Sequence, residues 1–399
     1  MNILVLNCGS SSIKYQLLNM EAQPVLLAKG IVEKIGLPMG SFTHKPNGKD
    51  KYVLEKPIPD HVDGMDLILK ALTDKTHGVI VSLEEIFAVG HRIAHGGEYF
   101  SQSVLIDEDV KRKIKACSEI APLHNPAHLK GIETMERLLP TVPQVAVFDT
   151  SFHQTLPPKA FIYGIPYEYY EKYSVRRYGF HGTSHKFVAE KACQILGWDI
   201  TEKKIITCHL GNGASITAID KGKSVDTSMG FTPVAGLVMG TRCGDLDTGA
   251  LLYICDKKGY TSQEAVRLTN KESGVFGISG VSSDFRELTA AADAGNNRAE
   301  LALDVFSYNV KKYIGAYAAV LNGVDLIIFT GGIGENDERV RHSVCTGLEY
   351  LGVEFDESVN QDARGVDRII SAASSRTLVM TVTTDEELVI ATDTLNLVK

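Results

Sequence analysis

The sequence predicts an α/β protein built from two related halves, and three observations carry that prediction. Apolar strand-like segments recur and end in polar residues: EIFAVGHR at His91-Arg92, QVAVFD at Asp149, DLIIFTGG at Gly331 and TLVMTVTTDEE at an acidic pair. Helical patterns sit between them. A strand, a Gly-rich turn and a second strand occur near the N-terminus and again in IITCHLGNGASITAID (205–220), about 200 residues apart and half the chain length. A weak internal repeat of this kind suggests two related α/β halves.

Taken in order, residues 2–7 carry the apolar run Ile3 to Leu6, and 13–18 place Ile13, Tyr15 and Leu17 on one face against Lys14 and Gln16 on the other. Period-two alternation reads as a strand. The loop Gly9-Ser10-Ser11-Ser12 therefore joins two strands, which separates it from a Walker loop that must feed a helix. A helix over 126–139 is predicted from Asn125 as N-cap and Pro126 at N1. Another over 186–196 follows Thr183 or Ser184 as cap, and 298–321 is a long amphipathic run. Thr384 and Glu387 have capping-box spacing and open a final helix, 386–399. The expected boundary lies near 150: a first domain over 1–150 with the final helix returning to it, and a second over 151–385.

At 399 residues, 44% hydrophobic and 23% charged, the chain has an ordinary globular composition. A net charge of −8 argues against nucleic acid or an anionic membrane as partner. Seven scattered Cys without a CxxC pair suggest free thiols, not a disulfide framework or zinc site. MNILVLNC lacks the basic start of a signal peptide, and no apolar stretch is long enough to span a bilayer, so a cytoplasmic location is expected.

Three Gly-rich segments at strand ends, GSSS, His209–Gly213 and TGGIGEN, suit phosphate cradling by backbone N–H groups, although each alone is equally a turn. Arg92 in GHRIAHGGE and Arg242 in MGTRCGD sit beside glycines, and a guanidinium fork matches carboxylate or phosphate. His181 and His185 flank the start of a helix in RRYGFHGTSH; donation to a phosphoryl group is the better reading than a metal pair. Asp149 ends a strand. With Glu387 given to the helix cap, Glu386 is left to face a cation, and such oxygen ligands suit Mg²⁺.

These motifs, together with APLHNPAH, VAVFDTSFH, DTSMGFTP, GISGVSSD and TDEE, resemble the acetate kinase family of the acetate and sugar kinase, heat-shock and actin superfamily, over nearly the whole chain. The resemblance implies a homodimer of two duplicated ribonuclease-H-like (actin-like ATPase) domains with an interdomain active-site cleft. It implies reversible transfer of the ATP γ-phosphoryl to acetate, giving acetyl phosphate and ADP, with Mg²⁺ or Mn²⁺. Position by position, Asn7 and Glu386 match magnesium-associated residues, Lys14 a nucleotide-phosphate contact, and Arg92 the carboxylate arginine. Asp149 matches the catalytic aspartate, and His181 and Arg242 the transition-state stabilisers. The acyl pocket maps to Ala94, Leu123, Phe180 and Pro233. ATP-binding segments map to His209, Leu210, Gly211, Asn212 and Gly213; to Asp284, Phe285 and Arg286; and to Gly331, Gly332, Ile333, Gly334 and Glu335.

Acetate is already an anion at neutral pH, so the reaction needs charge stabilisation and positioning, not a base. Asp149 therefore reads as an orienting or magnesium-linked group. Two positions depart from the family. Ala94 stands where acetate kinases carry Val and propionate kinases Ala, leaving a propionate-preferring enzyme as an alternative. Asp385 replaces the usual Asn, either altering magnesium affinity or serving the helix N-terminus. A non-catalytic ATP switch and a polyol kinase or polyphosphatase on the same fold are the rival classes.

Overall fold

The computed structural model describes residues 1–122 and 124–399. The chain divides into two compact units, Met1–Ser151 with Asp385–Lys399, and Phe152–Thr384. The first holds β1 (Asn2–Cys8), β2 (Ser12–Asn19), β3 (Val25–Glu33), β4 (Gly40–Pro46), β5 (Tyr52–Lys56), β6 (Ile86–Ile93), β7 (Val104–Leu105) and β8 (Gln144–Phe148). They form one sheet in the order β5-β4-β3-β2-β1-β6-β8-β7, with β1, β6 and β8 parallel.

Strand β1 reads as an unbroken apolar run because both its faces are covered. Leu4 and Leu6 pack with Met65, Ile68, Leu69 and Leu72 of the helix His61–Leu72 and Met135 of the helix Asn125–Leu138. Ile3 and Val5 point the other way, onto Ile390, Ala391 and Leu395 of the helix Glu386–Val398. The period of two divides one strand between two cores.

Strands β9 (Lys204–Leu210), β10 (Ala214–Asp220), β11 (Lys223–Thr227), β12 (Leu326–Thr330), β13 (Arg368–Ile369) and β14 (Leu378–Thr381) build the second unit's sheet, ordered β11-β10-β9-β12-β14-β13. Here β9, β12 and β14 are parallel and β10 antiparallel to β9. The order β11-β10-β9-β12-β14 repeats β3-β2-β1-β6-β8, so the two Gly-rich hairpins, β1–β2 and β9–β10, hold equivalent places in two ribonuclease-H-like sheets. One face carries the helix Asn297–Leu321, whose Phe306, Val310 and Ile314 join Ile206, Cys208 and Ile216. Val188, Ala189 and Ala192 of the helix Gly182–Leu196 cover the other face at Ile205, Ile219 and Ile328.

Four local expectations change. Asn125 is the first helical residue and not the cap, its amide being spent inward on the carbonyls of His95 and Ile114. The helix expected over 186–196 starts at Gly182, so Thr183 and Ser184 lie in its first turn and His181 is the N-cap. GGIGEN, read as a loop, winds into the short helix Gly331–Asn336. Asp385, not a Thr384–Glu387 box, caps the last helix by accepting from Leu388 N–H. Among the described residues, no helix is long and apolar enough to cross a membrane.

Candidate functional site

In the first unit, the carboxyl ends of the parallel strands bring candidate residues together. Leu6 pairs with His91 and Arg92 with Val147, so Asn7, Arg92 and Asp149 follow one another across three adjacent strands. Arg92 donates in a fork to Asp149, Nε to Oδ1 at 3.0 Å and Nη2 to Oδ2 at 2.7 Å. Glu386 Oε2 lies 3.9 Å from Arg92 Nε. The arginine side chain keeps 28% of its surface exposed while that of Asp149 keeps 4%. Asp149 raises the Arg92 pKa further, with Glu386 adding to it. Burial pushes the Asp149 carboxyl up and the guanidinium opposes this; beside a permanent cation the carboxylate stays ionised.

Both Asp149 oxygens are thus committed to Arg92, whereas the side chains of Asn7 and Glu386 make no hydrogen bonds among the described residues. The Asn7 amide oxygen and the Glu386 carboxylate, whose one ion-pair contact is the 3.9 Å approach to Arg92, are a donor set that fits a hard cation completed by phosphate and water. Lys14 is exposed on β2, opposite Asn7 in the register. The Ser10–Ser11 turn is held by its backbone: Gly9 N–H donates to Ser12 O at 2.8 Å, and His61 Nε2–H donates to Gly9 O at 2.7 Å. Ala94 is half-buried just beyond β6. Leu123 lies outside the described residues.

Two buried histidines surround this edge. His91 Nε2–H donates to Gln144 Oε1 at 2.6 Å, and burial lowers its pKa to about 4. His128 is lowered to about 3 by burial first, then by Arg92. Both rings are neutral at physiological pH.

In the second unit, His181 occupies the left-handed region (φ 57°, ψ 23°), a strained conformation for a residue with a side chain. Its ring stacks on His209 at a centroid distance of 4.3 Å. A Cβ added to Gly213 would lie 3.1 Å from Arg242 Nη1 and 3.6 Å from His181 Nε2, which shows how closely both groups approach this turn. At Gly240 a Cβ would overlap Asn212 Oδ1 at 1.7 Å, so the Asn212 side chain packs directly on the backbone of the Arg242 loop and a larger residue there would have to displace it. Arg242 Nη1 donates to the Pro233 carbonyl at 3.4 Å and has no ion pair among the described residues. Burial lowers its pKa, but an arginine keeps its charge.

The same turn borders a cavity of about 680 Å³. Gly211 and Asn212, Asp284 to Arg286, and Gly332 and Ile333 line it, so three segments distant in sequence meet there. Asp284 caps the helix Phe285–Asp293 and holds Arg286 at 2.6 Å. Leu210 is fully buried, and the Gly334 carbonyl accepts from Arg341 at 2.9 Å. Glu335 Oε1 accepts from Thr330 Oγ1 and from the N–H groups of Gly331 and Thr384, which makes it a clamp for the loop. Phe180 is buried, and its carbonyl accepts from His153 Nε2 at 3.0 Å.

Sequence reasoning passed over several of these partners. Ser184, Thr207, Ser215 and Ser224 hold the rings of His209, His185 and His153, and Asn336, Arg339 and Arg364 line the cavity. Their one visible signal was polar residues inside otherwise apolar strands, as at Thr207 and Ser215.

The sequence pattern of the acetokinase family matches residues 2–392. A curated acetate kinase of Clostridium perfringens is 55% identical over 398 residues, covering all of both chains. The crystal structure of Porphyromonas gingivalis acetate kinase superposes with a TM-score of 0.97 at 51% identity, over all of both chains. That of a Francisella tularensis propionate kinase gives 0.91 at 44% identity, over 99% of each. Fold and relatives define the class, a phosphotransferase with a carboxyl group as acceptor. The chain belongs to the acetokinase family.

Proposed function

We propose that this chain is a kinase of acetate, moving the γ-phosphoryl of ATP reversibly to acetate by direct in-line transfer. One observation carries the reading: the Gly211–Asn212–Gly213 turn borders a nucleotide-sized cavity and, at Gly213, abuts a histidine and an arginine that has no ion pair among the described residues.

The acceptor needs no deprotonation, so the protein's work is placement and charge. Arg92 binds the acceptor carboxylate. Asp149 orients Arg92, since a carboxylate with both oxygens in a bidentate pair is poorly placed to take a proton. The cavity residues hold the nucleotide and Lys14 meets its phosphates. Arg242 and His181 donate to the equatorial oxygens of the phosphoryl group in flight. Asn7 and Glu386 would hold magnesium or manganese, which would neutralise phosphate charge. Asp385 serves the helix N-terminus, as its bond to Leu388 N–H indicates.

Ala94, the small residue at a position where acetate kinases carry Val, supports a second reading in which propionate is preferred. Purified protein with Mg-ATP and formate, acetate, propionate, butyrate or glycerol, trapping acyl phosphate with hydroxylamine, tests both. Acetate should give most product. A higher kcat/KM for propionate selects the second reading, and no trapped product with any carboxylate rules out both.

We also infer a homodimer. The helix Thr248–Lys258 buries none of its residues, and Leu252 and Tyr253 are 69% and 64% exposed, an apolar face suited to a second copy. Leu252→Asp should halve the mass seen by light scattering; an unchanged dimer mass would argue against this face. A dependence on ATP and seven unpaired thiols support a cytoplasmic location.

A further inference from the structure

Behind His181 runs a line of three fully buried side chains. His181 Nδ1 lies 2.9 Å from Ser215 Oγ, Ser215 Oγ lies 2.7 Å from His185 Nε2, and His185 Nδ1 lies 2.7 Å from Thr207 Oγ1. Burial, with His153 and His209 close by, holds the His185 pKa well below its usual value, so the ring is neutral with one N–H and one lone pair.

The hydrogens can be ordered in two ways along this line. In the outward order, Thr207 O–H donates to His185 Nδ1, His185 Nε2–H donates to Ser215 Oγ, and Ser215 O–H donates to His181 Nδ1. Every hydroxyl hydrogen then has an acceptor, and a neutral His181 carries its proton on Nε2. The inward order reverses each step and leaves the buried Thr207 O–H with nothing to donate to, since among the described residues His185 is the one hydrogen-bond partner of that hydroxyl. An unmatched buried donor disfavours that order by about tenfold or more. Protonating His181 creates the same conflict, because Ser215 would then receive N–H groups from both rings.

We propose that Ser215, backed by His185 and Thr207, is a positioning residue that fixes His181 as its Nε2–H tautomer. The Nε2 edge is the one lying 3.6 Å from the position a Gly213 Cβ would take, with Arg242 Nη1 at 3.1 Å from it. The N–H is thus presented where Arg242 presents its charge, without waiting for a proton from solvent. This rests on the reading of His181 as a donor to the phosphoryl group.

The test is a two-bond ¹H–¹⁵N correlation spectrum of the full-length protein with ¹⁵N-labelled histidine, the His181 signals being assigned by their loss in His181→Gln. The wild-type protein should show His181 as Nε2–H at neutral pH. Ser215→Ala should mix the tautomers and lower kcat by about tenfold, with KM for ATP and acetate within about twofold. Thr207→Val should move the same signals less, and Thr207→Ser should restore them. Finding His181 as Nδ1–H or imidazolium in the wild-type protein overturns the proposal, and that result needs no variant to fold. Full kcat in His181→Gln would instead remove the phosphoryl role while leaving the tautomer result standing.

Discussion

The two units carry the same sheet order but use their arginines in opposite ways. Arg92 in the first is locked by both oxygens of Asp149, with Glu386 3.9 Å away. Arg242 in the second is partly buried, bonded to a carbonyl, and has no ion pair among the described residues. A guanidinium held by carboxylates is well oriented, but much of its charge is spent. One without carboxylates is costly to bury, yet its whole field is available to an incoming anion. The duplicated scaffold thus offers a geometric arginine and an electrostatic one, which the proposed function assigns to the acceptor carboxylate and to the phosphoryl group in flight.

That contrast can be broken most sharply at Arg242. Arg242→Ala should lower kcat by about 10²–10³-fold, as losing one pre-organised donor to a developing charge does; steady-state assays at saturating ATP and acetate check it. The stabilities should run the other way. Arg92→Ala leaves Asp149 buried and unpaired and should cost about 3 kcal/mol in urea unfolding. Arg242→Ala orphans no carboxylate and should leave the urea midpoint unchanged or raised. Equal losses for both would remove the distinction.

A further prediction concerns pH and sharpens what the units share. Each buries neutral histidines, His91 in the first and His153 in the second, with pKa values lowered to about 4 chiefly by burial. An unfolded histidine titrates near ~6.5. Between there and about 4 the unfolded chain binds protons that the folded one refuses, so stability is complete above the upper value and falls with pH through that window. Each such residue contributes up to about 3 kcal/mol of that loss. His153→Gln should flatten the pH dependence of the urea midpoint over pH 4–6.5, and an unchanged slope would contradict the assignment. The smallest expected effect is at Ala94. Ala94→Val should lower the propionate-to-acetate ratio of kcat/KM by about tenfold, the scale of one methylene in an acyl pocket.

Much of this was legible in the sequence because strand ends and glycine turns announce themselves. Arg92, Asp149 and the 209–213 turn are singled out by where an apolar run stops, and the structure places each at the end of a strand. The duplication was visible from two hairpins, but showing that they hold equivalent places required the strand order. The relay behind His181 was hidden. Thr207 and Ser215 face inward on neighbouring antiparallel strands and meet His185 from a helix, a convergence that no spacing encodes. The last helix was miscapped for a similar reason: Thr384 looks like a cap, but Glu335 takes its N–H and Ser184 its hydroxyl, which leaves Asp385 to accept from Leu388.

The most direct test of the division of labour is the kcat and KM split of two variants measured side by side with Mg-ATP and acetate. Arg92→Ala should raise the KM for acetate by well over tenfold with the KM for ATP little changed, while Arg242→Ala should act mainly on kcat. If Arg242→Ala altered the acetate KM alone, or Arg92→Ala lowered kcat with an unchanged acetate KM, the roles assigned to the two arginines would be wrong.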